Sequence, residues 1–202
     1  MNKHIRMKKR IVLTLLIIIC LCPSEAFSQA GMDPDELLSS GWIIIEAEHC
    51  TIMLHPNVNV NKVYRNTKIR FWDILIEKDY HASKEHAIFE SIMENFDRTF
   101  QKVEKILDMY PRNMNVKVAI YPNQLLLDGK HYEIFGEENT SDREDAYYVH
   151  NHTTIYATQN SISQEVLAHE MGHAIVDHYF LIPPPEKVKE LLCQYVELHL
   201  AD

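Results

Sequence analysis

Apolar residues are spaced differently in successive stretches of the chain, and each spacing predicts an element. Ile11 to Cys22 is an apolar run broken only by Thr14. Residues 31–40 are polar, contain Asp33-Pro34, and suit a linker or short helical turn. Trp42 to Leu54 is rich in Ile but interrupted by Glu46, Glu48 and His49, which predicts one long strand or two short ones. Between Val58 and Ile76, Val63-Tyr64 and Ile69 to Trp72 fit a hairpin around Arg65-Asn66-Thr67. Ile88, Ile92, Phe96, Phe100, Val103 and Leu107 recur at three- and four-residue steps, predicting a helix from Lys84 to Tyr110 that Pro111 stops. Val116, Val118 and Ile120 alternate in a strand over Asn115 to Tyr121. Gln124 to Phe135 suits a short helix, and Glu137 to Asp145 an acidic, solvated loop. Tyr147 to Ala157 suits a strand.

Ser161 and Gln164 have the spacing of a capping box ahead of a helix through Val166 to His178. Phe180 to Pro185, with three consecutive prolines, ends that helix. A last helix follows from Glu186 to about Leu200, with Val188, Leu191, Leu192, Tyr195 and Leu198 as its buried stripe. So short a connection returns the second helix beside the first, antiparallel. The element order predicts an α+β fold with a small mixed sheet and one domain over residues 41–202.

Composition narrows the class. Of 202 residues, 46% are apolar and 24% charged, which excludes a wholly disordered chain. Five glycines and eight prolines exclude collagen-like sequence. Lys3, Arg6, Lys8, Lys9 and Arg10 precede the Ile11–Cys22 run, and small residues at Ala26, Ser28 and Ala30 follow it. That is the three-part pattern of a secretory signal peptide over residues 1–28, cleaved near 28–30. The product is then exported, periplasmic or secreted; the alternative is a membrane anchor formed by an uncleaved signal. The net charge is −9, and removing residues 1–28 leaves 15 basic and 28 acidic residues, net −13. Such a surface suits neither nucleic acid nor anionic membrane as partner. Cys50 and Cys193 are the two cysteines that remain, either a disulfide or two buried thiols.

Twelve histidines invite a search for metal-ligand spacing. His169-Glu170-Met171-Gly172-His173 is H-E-x-x-H. Four residues turn a helix by about 400°, so the two histidines share a face roughly 6 Å apart along the axis and can hold one zinc ion. Glu170, rotated by about 100°, is placed to act as general base toward a metal-bound water. His178, five residues after His173, falls off that face. A third ligand is required, and Glu190 on the last helix is the first candidate, with Glu197 as its competitor two turns on.

The stretch Val166–Glu197 resembles the gluzincin zinc metallopeptidases, in which H-E-x-x-H on one helix is completed by a glutamate on the next. The second helix often reads E-x-x-x-x-Y-x-E, here Glu190 to Glu197 with Tyr195 between them. The resemblance implies zinc, one ion per chain, held by His169, His173 and Glu190, with Glu170 catalytic. It makes Glu197 a neighbour behind the ligands and gives the same role to Asp177, an aspartate four after the second histidine as in thermolysin-like members. It also implies an edge strand just before the active helix that binds substrate backbone, placed here at Thr154, Ile155 and Tyr156.

Two positions depart from the pattern. Lys189 stands where many members have Asn, and Gln194 where thermolysin-like members have an acid. Val176 and Tyr179 exclude the metzincin pattern. Family members often stabilise the oxyanion with a Tyr or His of a C-terminal subdomain. Within this sequence the candidates are Tyr147, Tyr148, His150, His152, Tyr156 and Tyr195. The expectation is an exported zinc metallopeptidase acting on a peptide or protein. The alternatives are a non-catalytic, zinc-stabilised pseudo-peptidase serving as a binding module, and a membrane-anchored interaction protein without metal.

Overall fold

The computed structural model describes residues 37, 39–68, 84–136 and 145–201, all within one compact unit, Gly31–Asp202. The N-terminal basic and apolar segment, Ile69–Trp72 and the acidic residues 137–144 lie outside the described residues. Among the described residues, five strands form one mixed sheet accompanied by five α-helices, so the α+β expectation holds. No described helix is long and apolar enough to cross a membrane.

The strands are β1 (Ile43–Glu46), β2 (Cys50–Leu54), β3 (Val116–Tyr121), β4 (Ala146–Val149) and β5 (Thr154–Thr158). Their order across the sheet is β1-β2-β3-β5-β4. β2, β3 and β5 run parallel, and β1 and β4 close the two sides antiparallel. The Ile-rich stretch is therefore two short strands, turned where Glu48 and His49 interrupt it. The Asp97 carboxylate accepts both backbone N–H groups of that turn, at 2.9 and 2.8 Å.

The helices are α1 (Val60–Thr67), α2 (Lys84–Leu107), α3 (Gln124–Phe135), α4 (Gln164–Tyr179) and α5 (Glu186–His199). On α2, Ile92, Phe96, Phe100 and Val103 are fully buried, as their spacing predicts. They pack with Ile52, Leu54, Val118, Ile120 and Ile155 of the sheet and Leu167, Met171, Ala174 and Ile175 of α4 in the main core. The opposite face of the sheet carries a smaller core of Met53, Tyr121, Tyr147, Val149 and Tyr156 beneath Leu127 of α3. Leu37 is buried there too, so the far end of the expected 31–40 linker belongs to the domain. With both faces covered, the inner strands read as near-continuous apolar runs.

Four local expectations are corrected. Arg65-Asn66-Thr67 is the last turn of α1, not a hairpin turn; Asn59 caps that helix by accepting from Lys62 N–H, and buried Thr67 donates to the Val63 carbonyl. The 147–157 segment is two strands. His150–His152 forms a 3-10 turn and Thr153 takes φ 48°, reversing the chain at the polar His-Asn-His triplet. Consequently Thr154, Ile155 and Tyr156 do not form an edge. β5 is paired on one side with Lys117, Val118 and Ala119, and on the other with Val149, Tyr148 and Tyr147; the edge is β4. Finally, the cap of α4 is Ser163, which accepts from Val166 N–H, whereas Ser161 donates to the Asp145 carbonyl.

Two histidines give this fold a pH dependence. Burial holds His55 below the ordinary imidazole range; burial, then the Lys130 and Lys117 charges, does the same to His152. The folded chain thus binds fewer protons than the unfolded chain once pH falls below about 6.5, the ordinary imidazole value. Stability is expected to be complete above that pH and to decline below it, as read from urea midpoints across pH 5–8 at fixed ionic strength. A flat profile below 6.5 would contradict the assignment.

Candidate metal centre

α4 and α5 lie antiparallel, as three contacts at successive levels require. His169 meets Glu197, His173 meets Glu190, and Asp177 meets Lys189. The face α5 turns inward is not the expected stripe. Val188, Leu191, Tyr195 and Leu198 are 42–78% exposed, while Cys193 and Val196 are fully buried. The reason is at Gly172: a Cβ there would come within 3.0 Å of Cys193 Sγ. Only a small residue on each helix permits so close a crossing; Val188, Leu191, Tyr195 and Leu198 are turned out and Leu192 is half-buried.

That rotation gathers polar side chains between the helices. His169 Nε2 and His173 Nε2 are 3.1 Å apart. Glu190 Oε1 lies 3.2 Å from His173 Nε2, and Oε2 lies 3.6 Å from His169 Nε2. Zinc bonds of about 2.0–2.1 Å in tetrahedral array separate donors by about 3.3–3.4 Å. Glu190 reaches the two rings with different oxygens, and each separation lies near that value, so the pairs His169–His173 and His173–Glu190 suit a divalent metal of the zinc type.

Glu197 occupies a different place from its competitor. Its Oε1 is 2.7 Å from the other ring nitrogen of His169, Nδ1. An Nδ1–H donating to this carboxylate leaves the Nε2 lone pair facing His173 and Glu190. Gln194 is exposed, and it is Glu197 that contacts the His169 ring. His173 is held below the ordinary imidazole range, mainly by burial and against the opposing Glu190 charge, so its ring is neutral near pH 7. Glu170 is 8% exposed, a buried carboxylate on the same turn.

Asp177 is buried and reached from two sides, by Lys189 Nζ at 3.2 Å and His150 Nδ1 at 3.5 Å. Lys189 also contacts Glu186 at 2.9 Å. Burial works against the Lys189 charge, but Glu186 and Asp177 outweigh it and raise its pKa. Lys189 thus clamps the start of α5 to the end of α4. The six aromatic candidates separate. Tyr147 and Tyr156 belong to the core on the far face of the sheet, and His152 Nδ1 lies 3.0 Å from the Tyr156 hydroxyl. Tyr195 is exposed against His199. Tyr148 packs on the α4 side, and His150 contacts Asp177 there. His178 is exposed, its Nδ1 2.9 Å from the Ala174 carbonyl.

No protein-family model, curated protein or solved structure matches the chain. The geometry alone adds two residues that sequence reasoning left out of the site. Glu186 groups with His173 and Glu190 at metal-ligand spacing. Cys193 groups in the same way with His169 and His173. Its signal was present: Cys193 follows Glu190 by three, which puts both on one helix face. Cys193 and Cys50 are both free buried thiols, so the disulfide alternative is not realised.

Proposed function

We propose that this chain is a zinc-dependent hydrolase, a metallopeptidase of the gluzincin type acting on a peptide or protein substrate. The observation that carries the proposal is the convergence of His169, His173 and Glu190 from two helices at mutual distances of 3.1–3.6 Å. These residues would hold one zinc ion. Bound there, zinc supplies Lewis acidity toward a carbonyl oxygen and lowers the pKa of water.

The remaining roles belong to the chain. Glu170 takes a proton from the attacking water at a carboxylate oxygen and passes it to the departing amine. Glu197 holds the His169 ring in the tautomer whose Nε2 is free to bind. Lys189 and Asp177 fix α5 against α4 and so fix Glu190 opposite His173. β4, at the sheet edge and packed near α4, offers extended backbone to which a substrate strand can add. We place the product outside the cytoplasm on the pattern of residues 1–28.

Metal content tests the proposal. Protein purified without chelator or affinity tag is expected to carry one zinc per chain, absent from His169→Ala. A folded protein free of metal would remove the basis for hydrolysis. Glu197→Ala separates support from ligation: it is expected to weaken zinc binding by about 10–100-fold. Stoichiometric loss in that variant, with Glu190→Ala still binding, would exchange the two assignments.

A further inference from the structure

We propose that Cys193 is a fourth protein donor of this centre, so that the site takes a thiophilic divalent cation. His169, His173 and Cys193 would hold it from the buried side and Glu190 from the solvent side. The proposal rests on the metal-centre reading above and deepens it. Cys193 Sγ and one ring nitrogen from each histidine all lie within 4.8 Å of one another. Cys193 is fully buried, whereas the Glu190 side chain is 43% exposed and groups with His173 and Glu186 rather than with Cys193.

The close helix crossing gives the thiol its position. Gly172 lies between the two histidines in sequence, and the space a Cβ would need is taken by Cys193 Sγ. A buried cysteine is ordinarily inert apolar filling, and Cys50 is the internal comparison. It is equally buried and unpaired, but it packs in the main core and belongs to no such donor group among the described residues. What distinguishes Cys193 is its pair of imidazoles. On binding, the S–H bond is replaced by a sulfur–metal bond and the proton leaves to buffer. A sulfur donor favours zinc, cobalt or cadmium over magnesium, calcium or manganese. With three donors on the buried side, Glu190 is the donor that water or substrate can displace.

Cobalt(II) titration of the metal-stripped full chain, followed by absorption spectroscopy, tests this. The expected result is a thiolate-to-cobalt charge-transfer band in the near ultraviolet. It should be lost in Cys193→Ser, and in Cys193→Ala should serine disturb the packing, while one cobalt per chain still binds. Cys50 remains in both variants, so loss assigns the band to Cys193. Visible cobalt bands without charge transfer, or a charge-transfer band surviving in both variants, would overturn the fourth donor and leave the His-His-Glu centre standing. Failure of the wild type to bind cobalt at all would overturn the centre itself.

Discussion

Glu170→Gln is expected to keep one metal ion per chain and to hydrolyse peptides about 10²–10⁴-fold more slowly, the usual contribution of a positioned general base. That corresponds to roughly 3–5 kcal/mol of barrier. Glutamine has the shape of glutamate, so a side chain that is only 8% exposed is replaced without a void. It cannot take up a proton, and that is the property the mechanism uses. Glu170 also differs in angle from the ligands: His169 and His173 share a helix face, and Glu170 is rotated from it by about 100°. Its loss should therefore leave affinity intact. The measurement is kcat/KM on a fluorogenic peptide alongside zinc content on the same preparation. Wild-type turnover by a zinc-loaded Glu170→Gln would dispose of the mechanism. Loss of zinc in that variant would instead make Glu170 part of the binding set.

Much of the fold and the site was legible because both rest on local periodicity. The three- and four-residue steps of Ile92, Phe96, Phe100 and Val103 anticipate a helix face that is almost wholly buried. The four-residue step of His169 and His173 anticipates two imidazoles that meet. Two of the failures involve information carried by a partner element. The resemblance implied an edge strand at β5; the reversal at Thr153 supplies the β4 neighbour that makes it internal. The apolar stripe of α5 is real as a pattern, yet most of it faces outward, because the Gly172–Cys193 crossing and the polar contacts with α4 decide the rotation. An amphipathic pattern orients a helix when burial is the strongest force on it. Here the contacts of Lys189, Glu190 and Glu197 with α4 lie on the opposite side and prevail.

On the proposed centre those contacts would tie stability to the metal, and chelation is expected to show it. Glu170, Glu190 and Glu197 bring three carboxylates to one helix interface, all close enough to Cys193 to raise its thiol pKa behind the larger effect of burial. Lys189 is the cation acting in the opposite sense there, and His173 is held neutral. Without a cation, like charges face one another across the contact between α4 and α5. Zinc at 100 times its dissociation constant stabilises the folded state by about 2.7 kcal/mol. For a chain of this size each kcal/mol moves the melting temperature by about 2–4 °C, so stripping the metal should lower it by roughly 5–10 °C. His173→Ala should melt close to the stripped wild type and gain nothing from added zinc, because the donor opposite both His169 and Glu190 is missing. Calorimetry on the four samples, each variant with and without zinc, separates the ion from the packing. If the wild type lost its zinc completely and its melt did not move, the α4–α5 contact would be held by packing alone. The carboxylate repulsion inferred from these positions would then be too weakly felt to couple folding to the metal.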